Sequence, residues 1–195
     1  MPIMLPEDRI VSITPALITA RNELVPDFGG PVQRRNRMGS RYSLKVELEP
    51  MAPEEADEWA DLDDESDTCV LTIPQLGYPV GAPGSPVVDG NGQAGANIAL
   101  KGLTPSYVIR KNRWLTHIDA TGQRYCYRAR SEVVAGANGR VVVPLRTMLR
   151  SPPADGDVFE IAEPKLEGFV TVDEDAWMVD GNHLIRPSFT ITERK

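Results

Sequence analysis

From Arg41 to Leu48 apolar and polar residues alternate strictly, with Tyr42, Leu44, Val46 and Leu48 on one side. That two-residue period predicts a strand buried on one face, which Pro50 ends. Residues 8 to 19 alternate more loosely around Pro15 and predict an edge strand, or two short strands joined by a bend. Residues 68 to 73 read as another strand, stopped by Pro74, and residues 183 to 192 as a terminal one, with Ile185, Phe189 and Ile191 on its apolar side. Residues 176 to 180 are expected to start a strand that Gly181 and Asn182 bend.

Between the strands at 41–48 and 68–73 the period changes. Pro53 suits the first position of a helix, and Glu54, Glu55 and Asp57 follow in the first turn, where the macrodipole favours acids. Ala56, Trp59 and Ala60 share a face at helical spacing, so a short helix should lay Trp59 on a sheet. Residues 63 to 67 read as a hydrophilic connection, and 77 to 95, rich in Gly, Pro, Ala and Ser, as an extended linker or exposed loop.

From residue 96 to 169 short runs of β-branched and aromatic residues recur about every ten positions, separated by Thr104-Pro105, Ala120-Thr121-Gly122, Asn138-Gly139 and Asp155-Gly156. This is the punctuation of a small antiparallel barrel or sandwich. The expected architecture is mainly β: a discontinuous β-sandwich or barrel domain with one short helix, from residues 1–78 and 170–195, and an inserted antiparallel β-barrel module at 79–169. The terminal strand should pair with the sheet begun by the first segment.

The chain has 195 residues, enough for a substantial core without staples. No apolar run approaches the ~20 residues of a membrane span, and the N-terminal residues lack the basic and apolar regions of a secretion signal. Cys69 and Cys126 read as buried small hydrophobes or, less simply, a disulfide. Two Cys and two His without ligand spacing argue against zinc.

The net charge of −7 is uneven, because nine acids and no base fall between Glu54 and Asp67. Against them stand Arg34, Arg35, Arg37 and Arg41, within eight residues of one another. These arginines are either solvated loop charge or an interface, since Arg pairs bidentately with carboxylates and is enriched at protein contacts. The natural complement is Glu54, Glu55, Asp57, Glu58 and Asp61, within one subunit or across a ring of copies. Four charges without interleaved aromatics are few for nucleic acid.

Other candidates for chemistry have simpler readings. Gly90-Asn91-Gly92-Gln93-Ala94-Gly95 fits G-x-G-x-x-G but precedes a strand pattern, where dinucleotide binding needs a helix. His117 and His183 have no sequence partners for catalysis, and the pairs Asp155/Asp157 and Asp173/Asp175 sit where turns favour Asp. No catalytic residue, cofactor or metal is therefore expected. Trp114, Tyr125 and Tyr127 either fill the barrel or form a sugar-stacking platform.

Taken in order, the Arg-rich loop leading into Arg41–Met51, the acidic helix at 53–59 and the Gly/Pro-rich approach to a β-module resemble the distal tail proteins and minor tail proteins of long-tailed bacteriophages. Leu100-Lys101-Gly102-Leu103, Lys111–Leu115, Ala137–Arg146 and Pro153–Val158 are similar to that family's strand-and-turn steps. The resemblance implies a structural virion protein of the tail, made in the host cytoplasm. It would form a ring, commonly sixfold, that joins the tail tube to hub, tape-measure and receptor-binding proteins. A carbohydrate- or receptor-binding module, and a head-to-tail connector or tail-terminator ring, are the alternatives.

Overall fold

The computed structural model describes residues 2–63, 68–75, 77, 79–174 and 176–194, without the side chains at 58, 60, 61 and 63. Among the described residues sixteen strands run in chain order: β1 (Ile3–Met4), β2 (Ile10–Ile18), β3 (Arg21–Leu24), β4 (Gln33–Asn36), β5 (Arg41–Leu48), β6 (Cys69–Thr72), β7 (Gly84–Val88) and β8 (Asn97–Leu103). They continue as β9 (Val108–Ile109), β10 (Trp114–Ile118), β11 (Arg124–Arg128), β12 (Val133–Val134), β13 (Val141–Pro144), β14 (Val158–Glu160), β15 (Lys165–Val172) and β16 (Ser188–Glu193). The protein is mainly β.

One six-stranded sheet has the order β1-β6-β15-β16-β5-β2. Its pairs are antiparallel except β1 with β6. The alternation read from Arg41 to Leu48 has its physical counterpart here, because Tyr42, Leu44, Val46 and Leu48 are all buried in one core. Pro15 lies on β2, an edge strand, where a missing N–H costs no interior ladder bond.

The helix at Pro53–Asp63 is a 3-10 helix, tighter than an α-helix. Two acids occupy its first turn and no base its last, so the negative end of the helix gains no compensating charge. It nonetheless lays Trp59 on the sheet. That side chain is fully buried, its ring 6.0 Å from Phe189, and Ala56 and Leu62 flank it in the same core. Residues 64–67, most of the expected hydrophilic connection, lie outside the described residues.

The second six-stranded sheet has the order β11-β10-β14-β7-β8-β13. Its two edges meet at one end. Ala129 bridges Leu145, the Arg130 N–H donates to the Pro144 carbonyl at 2.8 Å, and the Arg146 N–H donates to that of Arg128 at 2.9 Å. The sheet thereby closes toward a barrel around Ile98, Leu100, Leu115, Tyr127 and Phe159.

Two expectations for extended chain are corrected. The Gly/Pro-rich stretch contains a true strand, β7, which pairs with β8 and β14. Its loop from Gly90 to Gly95 is held by the Gln93 side chain, whose amide bonds the backbone of Asp89, Gly90 and Ala99. Residues 176–180 form no strand beyond one isolated bridge, Val179 with Ile185. Here the turn closed by Asp180, which accepts N–H bonds from Asn182 and Leu184, outcompetes extension.

The two sheets meet along β11 and β15. An edge strand presents unpaired N–H groups, and the first sheet answers two of them with carboxylates: the Arg124 N–H donates to Glu167 at 3.3 Å and the Cys126 N–H to Glu193 at 2.6 Å. Beside them the Thr116 hydroxyl donates to the Lys165 carbonyl and accepts its N–H, each at 2.8 Å. Trp114 and Cys126 accordingly pack into the core of the first sheet. Both cysteines are buried, and no disulfide joins them.

Candidate functional site: a basic arm and the junction of the sheets

The ladder between β2 and β5 continues beyond the sheet into the ribbon β3–β4. An Arg37 N–H bond to the Ala20 carbonyl and an Ala20 N–H bond to the Ser40 hydroxyl carry it across the gap. The ribbon and its loop form an arm. Every residue from Arg21 to Gly39 is exposed, and among the described residues β3 and β4 pair only with each other.

The arm has two chemistries. Its shaft carries Arg21, Arg34, Arg35 and Arg37, whereas no basic residue stands between Asn22 and Gln33. That tip instead presents Leu24, 67% exposed, Val25, 66% exposed, and Phe28, wholly exposed, beside Asp27. A cluster of large apolar residues in water at the end of a projecting ribbon is the kind of surface that proteins cover with a partner.

The arginine cluster expected from sequence is thus mostly one structural unit. Arg34 and Arg35 lie on β4, on opposite faces of the ribbon, and Arg37 follows it. Arg41 is different: it begins β5, is half-buried, and borders a depression with Phe169 and Thr192. Among the described residues no ion pair joins this cluster to the acidic helix within one chain. Among the described residues Arg34 pairs with Glu23 at 3.0 Å, while Glu55 takes a two-pronged contact from Arg9 at 2.8 and 3.0 Å. That contact holds the Glu55 carboxyl below the usual carboxylate range, with help from the Ala52 N–H. Glu54 and Asp57 are exposed, and the side chains of Glu58 and Asp61 lie outside the described residues.

The aromatic trio is corrected. Trp114, Tyr125 and Tyr127 form no exposed platform, because Trp114 is 7% exposed and both tyrosines are buried. Arg128 covers the Trp114 ring at 4.6 Å and Tyr42 meets its edge at 4.8 Å, while Arg150 lies over the Tyr125 ring at 5.1 Å. His117 is likewise a core residue, wholly buried between Tyr125 and Phe159 with its Nε2 2.9 Å from Asp157. His183 is exposed at a turn. Asp155 binds Lys101 and the Gly90 N–H, and Asp173 binds Ser188. Asp175 lies outside the described residues.

The residues that sequence reasoning passed over are at the junction. Glu193 accepts the N–H of Tyr42 and of Cys126 at 2.6 Å each and contacts the Arg150 guanidinium, with both side chains almost wholly buried. Burial lifts the Glu193 carboxyl above its ordinary value, against the pull of Arg150 and the two N–H donors. Glu167, also buried, binds Thr68 and the Arg124 backbone. The available signal was an acid at position 193 in phase with Phe189 and Ile191, on the strand's apolar side.

Where the sheets part, a cleft of about 420 Å³ opens between β2, the segment after β6, and β10. Gln75 spans it from below, bonding both the N–H and the carbonyl of Trp114. Among the described residues no group of three or more His, Cys, Asp or Glu is placed to hold a metal, and no helix is long and apolar enough to cross a membrane. No protein-family model and no curated protein sequence matches the chain.

Proposed function

We propose that this chain is a structural protein that associates with copies of itself through the arm, forming a ring at the distal end of a phage tail between the tail tube and the hub and receptor-binding components. The observation that carries self-association is the arm: nineteen consecutive exposed residues, 21 to 39, end in an apolar tip that has no cover within the subunit. The basic shaft and the exposed acids Glu54 and Asp57 give one subunit two patches of opposite charge on separate elements. Such patches suit head-to-tail contacts, which close into a ring when the rotation between copies divides a full turn. The place in a phage tail rests on the sequence resemblance alone, and the proposal assigns the chain no catalytic step.

Negative-stain images of the purified chain, alone and mixed with tail tube protein, test the proposal. Rings of uniform diameter that cap the tubes are expected. Single particles of subunit size in both samples would overturn it.

A further inference from the structure

The cleft between the sheets and the tip of the arm are chemically matched. Ile13, Pro15 and Pro74 form an apolar floor, and Lys111, Arg113 and Arg128 bring three cations to its sides. Among the described residues no carboxylate lines it. Burial, and less strongly the neighbouring Arg146, hold the Arg128 guanidinium below its ordinary value, so an incoming anion would be favourable there. The tip offers the complement, with Phe28 and Leu24 for the floor and the carboxylate of Asp27 for the cations.

We infer that the arm tip of one copy seats in the cleft of the next, Phe28 against the Pro15 and Pro74 floor and Asp27 toward Lys111, Arg113 and Arg128. This deepens the proposed self-association and rests on it. The geometry is head-to-tail. Pro15 lies on β2, the strand that runs on into the arm, so each subunit presents its cleft at the root of its arm and its tip at the far end. From Ile18 to Leu24 the ribbon extends about 20 Å at the usual strand rise, enough to carry the tip beyond its own subunit. The contact is between unlike surfaces and repeats from copy to copy. A tip buried this way also accounts for the split along the arm, because the same arginines that suit the shaft would meet like charge in the cleft.

Two measurements on the full chain test this. In the first, Asp27→Cys and Lys111→Cys chains are mixed under mild oxidation, with Cys69 and Cys126 left in place because both are buried. A disulfide-linked dimer of the two chains is expected, absent when either variant is oxidised alone. In the second, Asp27→Lys and Lys111→Glu are each expected to raise the concentration for half-assembly by about tenfold, and the double variant to return it to within about threefold of the parent. Assembly of the parent with neither cross-link nor charge rescue would overturn this contact and leave self-association standing. Absence of any assembly by the parent chain would overturn both.

Discussion

Glu193, on the last strand of the first sheet, faces Arg150, on a loop of the second, and the two side chains are 1% and 6% exposed. Around the pair converge the Tyr42 N–H from one sheet and the Cys126 N–H from the edge of the other. A carboxylate in this position does the work that a neighbouring strand would otherwise do for β11. It also ties the β-module to the sheet that bears the arm.

Removing one partner of a buried pair strands the other without compensation, which costs about 3–5 kcal/mol. Arg150→Met is therefore expected to lower unfolding free energy by that amount in urea titrations. A loss under about 1 kcal/mol would show that the pair behaves like a surface bridge.

Gly168 stands at the same junction, on β15 opposite Glu193. A Cβ there would lie 2.1 Å from the Thr192 carbonyl oxygen, which is backbone and cannot swing aside. Gly168→Ala should destabilise by about 1–3 kcal/mol or more, read as a fall in the urea midpoint. An unchanged midpoint would contradict the packing.

Trp114→Ala separates the two readings of the aromatics. With the ring sandwiched by Arg128 and Tyr42, the expected result is a stability loss of about 3–5 kcal/mol. Saturable binding to a glycan array by the parent chain, abolished by this variant without loss of stability, would restore the sugar platform.

Acid should destabilise the fold through a few carboxylates. The Lys101 contact holds the Asp155 carboxyl below its ordinary value, with the Gly90 N–H adding to it, and the Ser188 hydroxyl does the same for Asp173. A depressed carboxylate contributes stability above its ordinary value and loses it as pH falls through the folded value. Thermal midpoints should thus drop below about pH 4, and Asp155→Asn should flatten that fall. An identical pH profile in the variant would remove Asp155 from the account.

Much of this architecture was legible in the pattern of residues, and what was hidden has physical causes. The alternation from Tyr42 to Leu48 reports a one-sided strand because water lies on one face only. Trp59 at helical spacing from Ala56 marked the face that meets Phe189, although not that the helix would wind as 3-10. β7 was invisible because Gly84 and Pro86 suppress local strand preference, and its pairing comes from β8 and β14 across the sheet. The arginines at 34, 35 and 37 drew notice as a cluster, but the arm that displays them depends on β3–β4 pairing, and its apolar tip spreads over Leu24, Val25 and Phe28 with no period at all. Glu193 is legible only in three dimensions, since its partners Arg150, Cys126 and Tyr42 are distant in sequence.

The most direct test of the central claim is the mass in solution, by light scattering across a concentration series, of the parent chain and of a chain in which residues 25–32 are replaced by an Asn-Gly turn. That turn closes a two-residue hairpin without disturbing the shaft. The account predicts a discrete oligomer for the parent and a folded monomer for the shortened arm. A monomer in both, or the same oligomer in both, would contradict it.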